Sequence, residues 1–146
     1  MNFRLGAAAF LLFLSCLAVA DDRKHIVGDP QSTLPFSEGV LVGDTLYVAG
    51  HIGFDPKTGK VPASVEDEAR YVMEAIKKTV EDGGMTMDDL VMVQVSCPDL
   101  SLYDTFNKVY RTYFHAPYPA RAFLGSGKLL RDAHFEVLGI AVKRKK

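Results

Sequence analysis

The segment YPARAFL at residues 118–124 has the apolar composition of a buried β-strand, yet Arg121 lies at its centre. Arginine is rarely buried unless an anionic group pairs with it. The next strand-like segment along the chain, residues 134–142, is also apolar and carries a single acid, Glu136. We expect these two strands to be neighbours, so Arg121 and Glu136 either form a structural salt bridge or share a ligand.

Turn residues mark the predicted strands that precede this pair. Residues 40–42 and 45–49 flank Gly43-Asp44 and predict a hairpin, because glycine supplies the positive φ that such a turn needs. Residues 90–97 predict a further strand that is apolar enough to be buried on both faces. The polar residues 21–33 predict an irregular leader into the fold.

Two segments predict helices. Ser64 is a candidate N-cap for a first helix that ends at Gly83-Gly84. A second helix is expected from about Leu102 to Phe114, with an aromatic stripe that we interpret as core packing. Asn107 lies in the middle of this helix, where asparagine is a mediocre helix former, so it is either surface-exposed or reaches the functional site.

The order β-β-α-β-α-β-β predicts an α+β sandwich, in which a mostly antiparallel or mixed sheet carries both helices on one face. The opposite sheet face is expected to stay partly apolar, because the strands at 90–97 and 134–142 offer apolar side chains to both sides. A small domain rarely leaves such a patch open to water. We therefore expect the chain to oligomerise through this face.

Residues 1–20 have the pattern of a secretory signal peptide. Arg4 is followed by the apolar run 7–14 and by Ala18-Val19-Ala20, a small-residue cleavage pattern. Cleavage after Ala20 would leave residues 21–146 as a single domain, exported to the periplasm or secreted. The alternatives are an uncleaved anchor, which the short apolar run disfavours, and lipidation at Cys16, where the match to a lipoprotein signal is poor.

Charge and motif content exclude several classes of protein. The formal net charge is −1, which argues against the basic surface of a dedicated nucleic-acid-binding protein. The four histidines lack metal-ligand spacing, so we expect no metal site. Loss of Cys16 with the signal peptide would leave Cys97 without a disulfide partner in its own chain.

Arg121 and Glu136 remain as the side chains with the most distinctive chemistry. The planar guanidinium of Arg121 suits a carboxylate ligand, which it can bind through two parallel hydrogen bonds. Glu136 has the chemistry to orient a water molecule or to transfer a proton. A structural salt bridge between the two side chains remains the alternative.

Several motifs, in the right order, resemble the RidA/YjgF family of reactive intermediate (enamine/imine) deaminases, also called L-PSP proteins. The resemblance runs nearly end to end across residues 30–143. The motifs that carry it are PFSEG at 35–39, VGDTLYVAG at 42–50, DPKTG at 55–59, FNKVY at 106–110, PAR at 119–121 and the C-terminal Glu136.

This resemblance implies a chorismate-mutase-like α+β fold and a homotrimer with active sites in clefts between subunits. It also implies that Arg121 holds the substrate carboxylate, that Glu136 positions the hydrolytic water, and that Gly50 and Asn107 help line the pocket. The implied reaction needs no cofactor: a 2-aminoacrylate-type enamine tautomerises to the imine, which water hydrolyses to a 2-keto acid and ammonia. Nucleic acid and stable membrane insertion are not expected as partners.

The pocket walls depart from the family pattern at four positions. Phe36 stands where a tyrosine often lines the pocket, Ala49 replaces a common serine, and Phe123 replaces a small residue or cysteine. His51 replaces a common glutamine and is either a wall residue or a new acid/base group. These changes predict a more apolar pocket and keep a second hypothesis open, a non-catalytic trimer that binds small carboxylates. An endoribonuclease activity is a third hypothesis, which the neutral net charge disfavours.

Overall fold

Residues 22–144 are described by the computed structural model, and they form a six-stranded sheet that carries two α-helices. Shorter 3₁₀ turns connect several of these elements. The predicted signal peptide lies outside the described residues. The elements in chain order are β1 Arg23–Ile26, β2 Gly39–Val42, β3 Thr45–Ile52, α1 Val65–Asp82, β4 Leu90–Cys97, α2 Tyr103–Tyr110, β5 Ala120–Gly125 and β6 Glu136–Val142.

The sheet is mixed, with the strand order β1-β2-β3-β6-β4-β5. Its neighbouring strands are antiparallel except for β4 and β5, which run parallel because α2 carries the chain back across the sheet. The predicted hairpin between β2 and β3 is confirmed, and Gly43 at its turn has a φ of +56°. The mixed sheet and the two-helix arrangement confirm the predicted α+β class.

Local signals at the ends of α1 behave as the sequence predicts. The Ser64 hydroxyl accepts a hydrogen bond from the Asp67 amide at 3.2 Å, and Gly84 after the helix has a φ of +76°. The second helix is shorter than predicted, because α2 ends at Tyr110. Just beyond it, the Thr112 hydroxyl donates to the Val109 carbonyl at 2.7 Å, a local bond that competes with further helix.

Both helices cover one face of the sheet and enclose the core there. Phe106 of α2 lies at the centre of this core, with its ring centroid 4.8 Å from that of Phe135 and 5.6 Å from that of Phe123. Successive residues of a strand point to opposite faces, so every second residue of β3, β4 and β6 contributes to this core. The aromatic stripe of α2 is therefore core packing, as predicted.

The other sheet face is uncovered and partly apolar, as the sequence predicts. Tyr47, Met92, Leu124 and Val142 all have large exposed fractions on this side or at its edges. The expectation that β4 is buried on both faces is wrong for the single chain, since 37% of Met92 is accessible to solvent. Apolar strands can be covered by a second copy as well as by helices, and the sequence pattern does not distinguish the two.

Two further expectations about the strands are wrong. Residues 21–33 are not wholly irregular, because β1 pairs antiparallel with β2 from Arg23 to Ile26. Its polar composition is that of an edge strand, for which alternation is a weak signal. The strands of Arg121 and Glu136 are not neighbours either, since β4 lies between β5 and β6.

Within residues 22–144, no helix is long and apolar enough to cross a membrane.

Candidate functional site

Glu136, the first residue of β6, lies in a pocket of about 400 Å³ that we call the Glu136 pocket. The carboxylate of Glu136 has no hydrogen-bond or ion-pair partner among the described residues. An unpaired carboxylate in a cavity is available for a ligand or a water molecule. The pocket is lined by Leu34, Phe36, Gly50, His51, Phe54, Arg131 and Glu136, among others.

A bulge in β3 brings Gly50 against the Glu136 carboxylate. The pairing of β3 with β6 shifts register between Val48 and His51, and such bulges re-aim side chains next to functional sites. A Cβ atom added at Gly50 would overlap the Glu136 Oε1 atom. Glycine is therefore required here for close approach of the backbone to the carboxylate of Glu136.

His51 is held in one orientation by partners on both sides. Its Nδ1 atom lies 3.4 Å from Glu38 Oε2, and its Nε2 atom lies 3.2 Å from the Thr79 hydroxyl. Burial lowers the pKa of His51 below its usual value, and the nearby Glu38 only partly offsets this effect. His51 is thus a wall residue of the Glu136 pocket that contacts with Glu38 and Thr79 hold in place.

A buried glutamate that sequence reasoning missed anchors the chain just before Glu136. Glu68 of α1 is fully inaccessible to solvent and accepts hydrogen bonds from the amides of His134 and Phe135, at 2.6 and 3.0 Å. Its second oxygen lies 2.6 Å from Nδ1 of His134. A carboxylate can be buried when several donors satisfy it, so Glu68 fixes the segment that places Glu136.

Arg121, the second residue of β5, lies in a separate concave site of about 240 Å³, which we call the Arg121 pocket. Aromatic rings surround its guanidinium: the Cζ atom is 4.5 Å from the centroid of Tyr110, 5.6 Å from Tyr103 and 5.9 Å from Phe123. Each such cation–π contact contributes on the order of 1 kcal/mol. No carboxylate among residues 22–144 forms an ion pair with Arg121. The guanidinium therefore packs against aromatic rings and remains available to bind an anion.

Polar groups from α2 complete the Arg121 pocket. Arg121 Nη2 donates to the Tyr103 hydroxyl at 3.4 Å, and the buried Asn107 lines the same pocket. A hydrogen bond with Asn107, and then the positive charge of Arg121, lower the pKa of the Tyr103 phenol. Burial raises the pKa of Tyr110 to about 12, and its hydroxyl has no hydrogen-bond partner.

The structure groups the predicted site residues into two sets and keeps the sets apart. Phe36, Gly50 and Glu136 share one pocket, while Asn107 and Arg121 share the other. Arg121 pairs in register with the buried Val93 and so lies on the helix-covered side.

Glu136 alternates with the buried Val137 and so lies on the uncovered side of the sheet. A salt bridge between Arg121 and Glu136 within one chain, the structural alternative, is therefore wrong. The single chain also cannot bring both side chains onto one ligand, because the sheet separates them.

Sequence reasoning missed Glu68 although a signal for it exists. Glu68 lies four residues before Val72 on the apolar stripe of α1, so a charge stands on the buried face of the helix. Arg131, a further cation in the Glu136 pocket, was also missed, since it lies in a 3₁₀ turn without a recognisable pattern. In the described part of the chain, no group of three or more histidine, cysteine, aspartate or glutamate side chains is arranged to hold a metal ion.

Fold and pockets together define an α+β protein with two concave sites, one around the guanidinium of Arg121 and one around the carboxylate of Glu136. Comparison with known proteins identifies the family, because a family model described as Endoribonuclease L-PSP matches residues 28–143. The chain belongs to the RidA/YjgF family. The predicted resemblance is thereby confirmed.

Named relatives support this assignment along most of the chain. A RutC family protein of Saccharolobus solfataricus is 41% identical over 115 residues, which cover 78% of this chain and 91% of the relative. The 2-iminobutanoate/2-iminopropanoate deaminase of Escherichia coli is 35% identical over 118 residues, covering 79% and 92%. The crystal structure of E. coli TdcF with bound serine superposes with a TM-score of 0.76 at 32% identity, covering 83% of this chain and all of that one.

Proposed function

We propose that this chain is a homotrimeric deaminase that hydrolyses 2-aminoacrylate-type enamines and imines to 2-keto acids and ammonia. The observation that carries the proposal is the division of the site into two unpaired and complementary halves. Neither Arg121 nor Glu136 forms an ion pair among the described residues, and the two side chains lie on opposite sides of one sheet. A neighbouring copy that brings its Arg121 pocket to the Glu136 pocket would complete the site.

The uncovered sheet face supports assembly through like subunits. Exposed Tyr47, Met92 and Val142 make this face too apolar for an isolated small domain, and burial of such area is the main driving force for association. A closed ring of three copies repeats one interface, so each copy contributes one half-site to each neighbour. The trimer would then contain complete sites that no single copy contains.

In the proposed site, Arg121 binds the substrate carboxylate through its guanidinium fork. The enamine first takes a proton at carbon and releases one from nitrogen, and so becomes the imine. Glu136 orients a water molecule and accepts its proton as the oxygen attacks the imine carbon. The protonated carboxyl then returns a proton to nitrogen, and the tetrahedral carbinolamine releases ammonia and leaves the 2-keto acid. Binding in one orientation supplies much of the acceleration.

A coupled assay tests the proposal directly. A serine dehydratase generates 2-aminoacrylate, and release of pyruvate is followed with and without the purified chain. We expect acceleration by the wild-type protein and its loss in Arg121→Ala. No acceleration, or acceleration that persists in Arg121→Ala, would exclude the deaminase mechanism.

A non-catalytic role in binding small carboxylates is the second candidate. The solved structure of TdcF with bound serine shows that a protein 32% identical to this chain accommodates an amino acid. The apolar substitutions Phe36, Ala49 and Phe123 are compatible with binding that has lost turnover. Saturable binding of serine or pyruvate by calorimetry, together with no turnover in the dehydratase assay, would favour this candidate.

The description of the family model also names an endoribonuclease activity. The formal net charge of −1 disfavours a strong phosphate-binding surface. RNA cleavage by repurified protein that disappears in Glu136→Ala would support that activity.

We also propose that the protein is exported, with cleavage after Ala20. The support is the sequence pattern of residues 1–20 alone. Expression of the full chain in a bacterial host, followed by intact mass measurement of the periplasmic and secreted fractions, tests this. A mass that corresponds to residues 21–146 is expected, and a cytoplasmic protein with an intact N-terminus would contradict it.

A further inference from the structure

Arg131 places a positive charge in the Glu136 pocket that no acid of the described chain neutralises. Its Cζ atom lies 5.4 Å from the centroid of the Phe54 ring, and both residues line the pocket with Glu136. No carboxylate among residues 22–144 forms an ion pair with it. Stacking on an aromatic ring holds the plane of a guanidinium while its N–H donors stay available.

The turn around Arg131 keeps its neighbouring acid away from it. Lys128 Nζ lies 2.6 Å from Asp132 Oδ1, so this carboxylate already has a cationic partner. Arg131 and Asp132 adopt φ angles of +56° and +58°, which are unfavourable for residues that carry a Cβ atom. Such conformations persist where other interactions hold them, and they concentrate at ligand sites.

The Glu136 pocket is larger than a three-carbon imine requires. Its volume of about 400 Å³ lies in the range of sites for ligands much bigger than pyruvate. In the proposed trimer, the first carboxylate of the substrate binds Arg121 from the neighbouring copy. Arg131 and the apolar walls at Phe36 and Phe54 would then face the remainder of the substrate, beyond the reacting carbon.

We propose that Arg131 binds a second anionic group of the substrate, and that the preferred substrates are imines of dicarboxylic amino acids. This inference rests on the proposed deaminase function and adds the substrate class. A guanidinium pairs with a carboxylate through two parallel hydrogen bonds, which fixes both the position and the direction of the distal group. The acidic substrate would span from Arg121 of one copy to Arg131 of the next, with the imine carbon between them at Glu136.

The reaction stays the same hydrolysis with one more carboxylate. Water adds across the carbon–nitrogen double bond: its oxygen bonds to carbon and its proton reaches nitrogen. The carbon–nitrogen bond then breaks as ammonia leaves, and the carbon–oxygen double bond forms. One imino dicarboxylate and one water thus give one 2-keto dicarboxylate and one ammonia, without an oxidant or reductant.

Two imines distinguish the inference from the proposed function. An amino acid oxidase forms 2-iminosuccinate from aspartate or 2-iminopropanoate from alanine, and semicarbazide trapping reports how fast each imine disappears. The wild type, Arg131→Asn and Arg131→Lys are compared, because asparagine adopts the left-handed backbone readily and lysine keeps the charge without the fork. Arg70→Gln is the charge-matched control, since Arg70 is exposed on α1 and lines neither pocket.

We expect the wild type to have the higher kcat/KM for 2-iminosuccinate. Arg131→Asn should lower the ratio of the two kcat/KM values about tenfold, as for the loss of a hydrogen bond to a charged group. Arg131→Lys should lower it less, and Arg70→Gln should leave it unchanged. Calorimetric titration with succinate and propionate should show the same order in binding affinity.

Each failure has a separate meaning. Acceleration of 2-iminopropanoate without preference for 2-iminosuccinate, or an equal effect of Arg131→Asn on both imines, would overturn the role of Arg131 and leave the deaminase intact. Absence of acceleration for both imines would overturn the deaminase function. Succinate binding that Arg131→Asn does not weaken would overturn the anion site even then.

Discussion

The two pockets of this chain position a half-buried charged side chain in different ways. Around Arg121, the aromatic rings of Tyr103, Tyr110 and Phe123 hold the cation, and its hydrogen-bonding capacity is largely unused. Around Glu136, backbone positions determine the geometry. Gly50 allows close approach to the carboxylate, and Glu68 accepts a hydrogen bond from the backbone segment that precedes Glu136. Under the proposed assembly, each pocket supplies one charged half of the site, so catalysis is expected only where halves from two copies meet.

Subunit mixing tests most directly whether the two halves of the site come from separate chains. Arg121→Ala and Glu136→Ala should each lower kcat/KM by about 100-fold or more, since each removes a group that acts only in the bound state. Their co-refolded mixture should regain up to about a quarter of wild-type activity. In randomly mixed rings, an intact Arg121 pocket meets an intact Glu136 pocket at about one interface in four. The measurement is the dehydratase assay on refolded mixtures. A mixture no more active than its parents would contradict halves on separate chains.

Gly50 tests the Glu136 half alone. Gly50→Ala introduces a Cβ atom that overlaps the Glu136 carboxylate, so the carboxylate must move. We expect kcat to fall about tenfold while thermal unfolding changes little, since the pocket is open to solvent. Gly127→Ala is the matched control, because a Cβ atom at Gly127 meets nothing within 4 Å. Equal kcat values for both variants would refute the required close approach.

Glu68 connects the stability of the fold with the position of Glu136. Glu68→Gln keeps one oxygen for the amides of His134 and Phe135 but replaces the oxygen near His134 Nδ1 by an NH2 group, so the charged acceptor is lost. We expect the free energy of unfolding in urea to fall by about 1–3 kcal/mol, with a decrease in kcat.

The control for this change is Glu66→Gln, two residues earlier on α1 and exposed. Its surface ion pairs with Arg70 and Lys108 contribute less than about 1 kcal/mol. Unfolding free energies that agree between the two variants would rule out the anchoring role of Glu68.

The Tyr103 hydroxyl tests the polar part of the Arg121 half. Tyr103→Phe keeps the ring beneath Arg121 and removes the hydroxyl that contacts Arg121 and Asn107. We expect KM to rise by about threefold with kcat nearly constant, because the hydroxyl orients the carboxylate anchor. Tyr113→Phe, outside both pockets, should leave KM unchanged. A fall in kcat at constant KM would instead assign Tyr103 a part in the chemistry.

The smallest effect is expected outside both pockets, at Asp89. Burial alone would raise the pKa of Asp89, but hydrogen bonds from Thr86 and Arg144 outweigh it, and the pKa is lowered. Because the pKa of Asp89 is lower in the folded protein than in the unfolded chain, where it is about 4, ionised Asp89 stabilises the fold at pH values above about 4. This stabilisation is lost as the pH falls through the pKa of the folded state. Asp89→Asn should therefore flatten the decrease in urea midpoint between neutral and acid pH. An unchanged acid decrease would contradict this account.

Local signals made part of this structure predictable. The bounds of β4 match the prediction, and α1 begins after Ser64 as expected, because caps and turns act within a few residues. The insertion of β4 between the strands of Arg121 and Glu136 depends on long-range pairing, which no local pattern reports. The candidate site residues were predicted from motifs, but their placement on opposite faces follows from strand register, where a shift by one residue inverts every side chain.

The separation of the two half-sites makes concentration part of the mechanism. Under the proposed assembly, activity follows the law of mass action: dilution below the concentration at which the trimer dissociates removes complete sites while every chain is still folded. For an exported protein this sets a spatial limit, because activity would persist in a confined compartment and fade in an open medium. A turnover number that falls with enzyme dilution, and recovers on concentration, would be the kinetic signature of a site divided by the sheet.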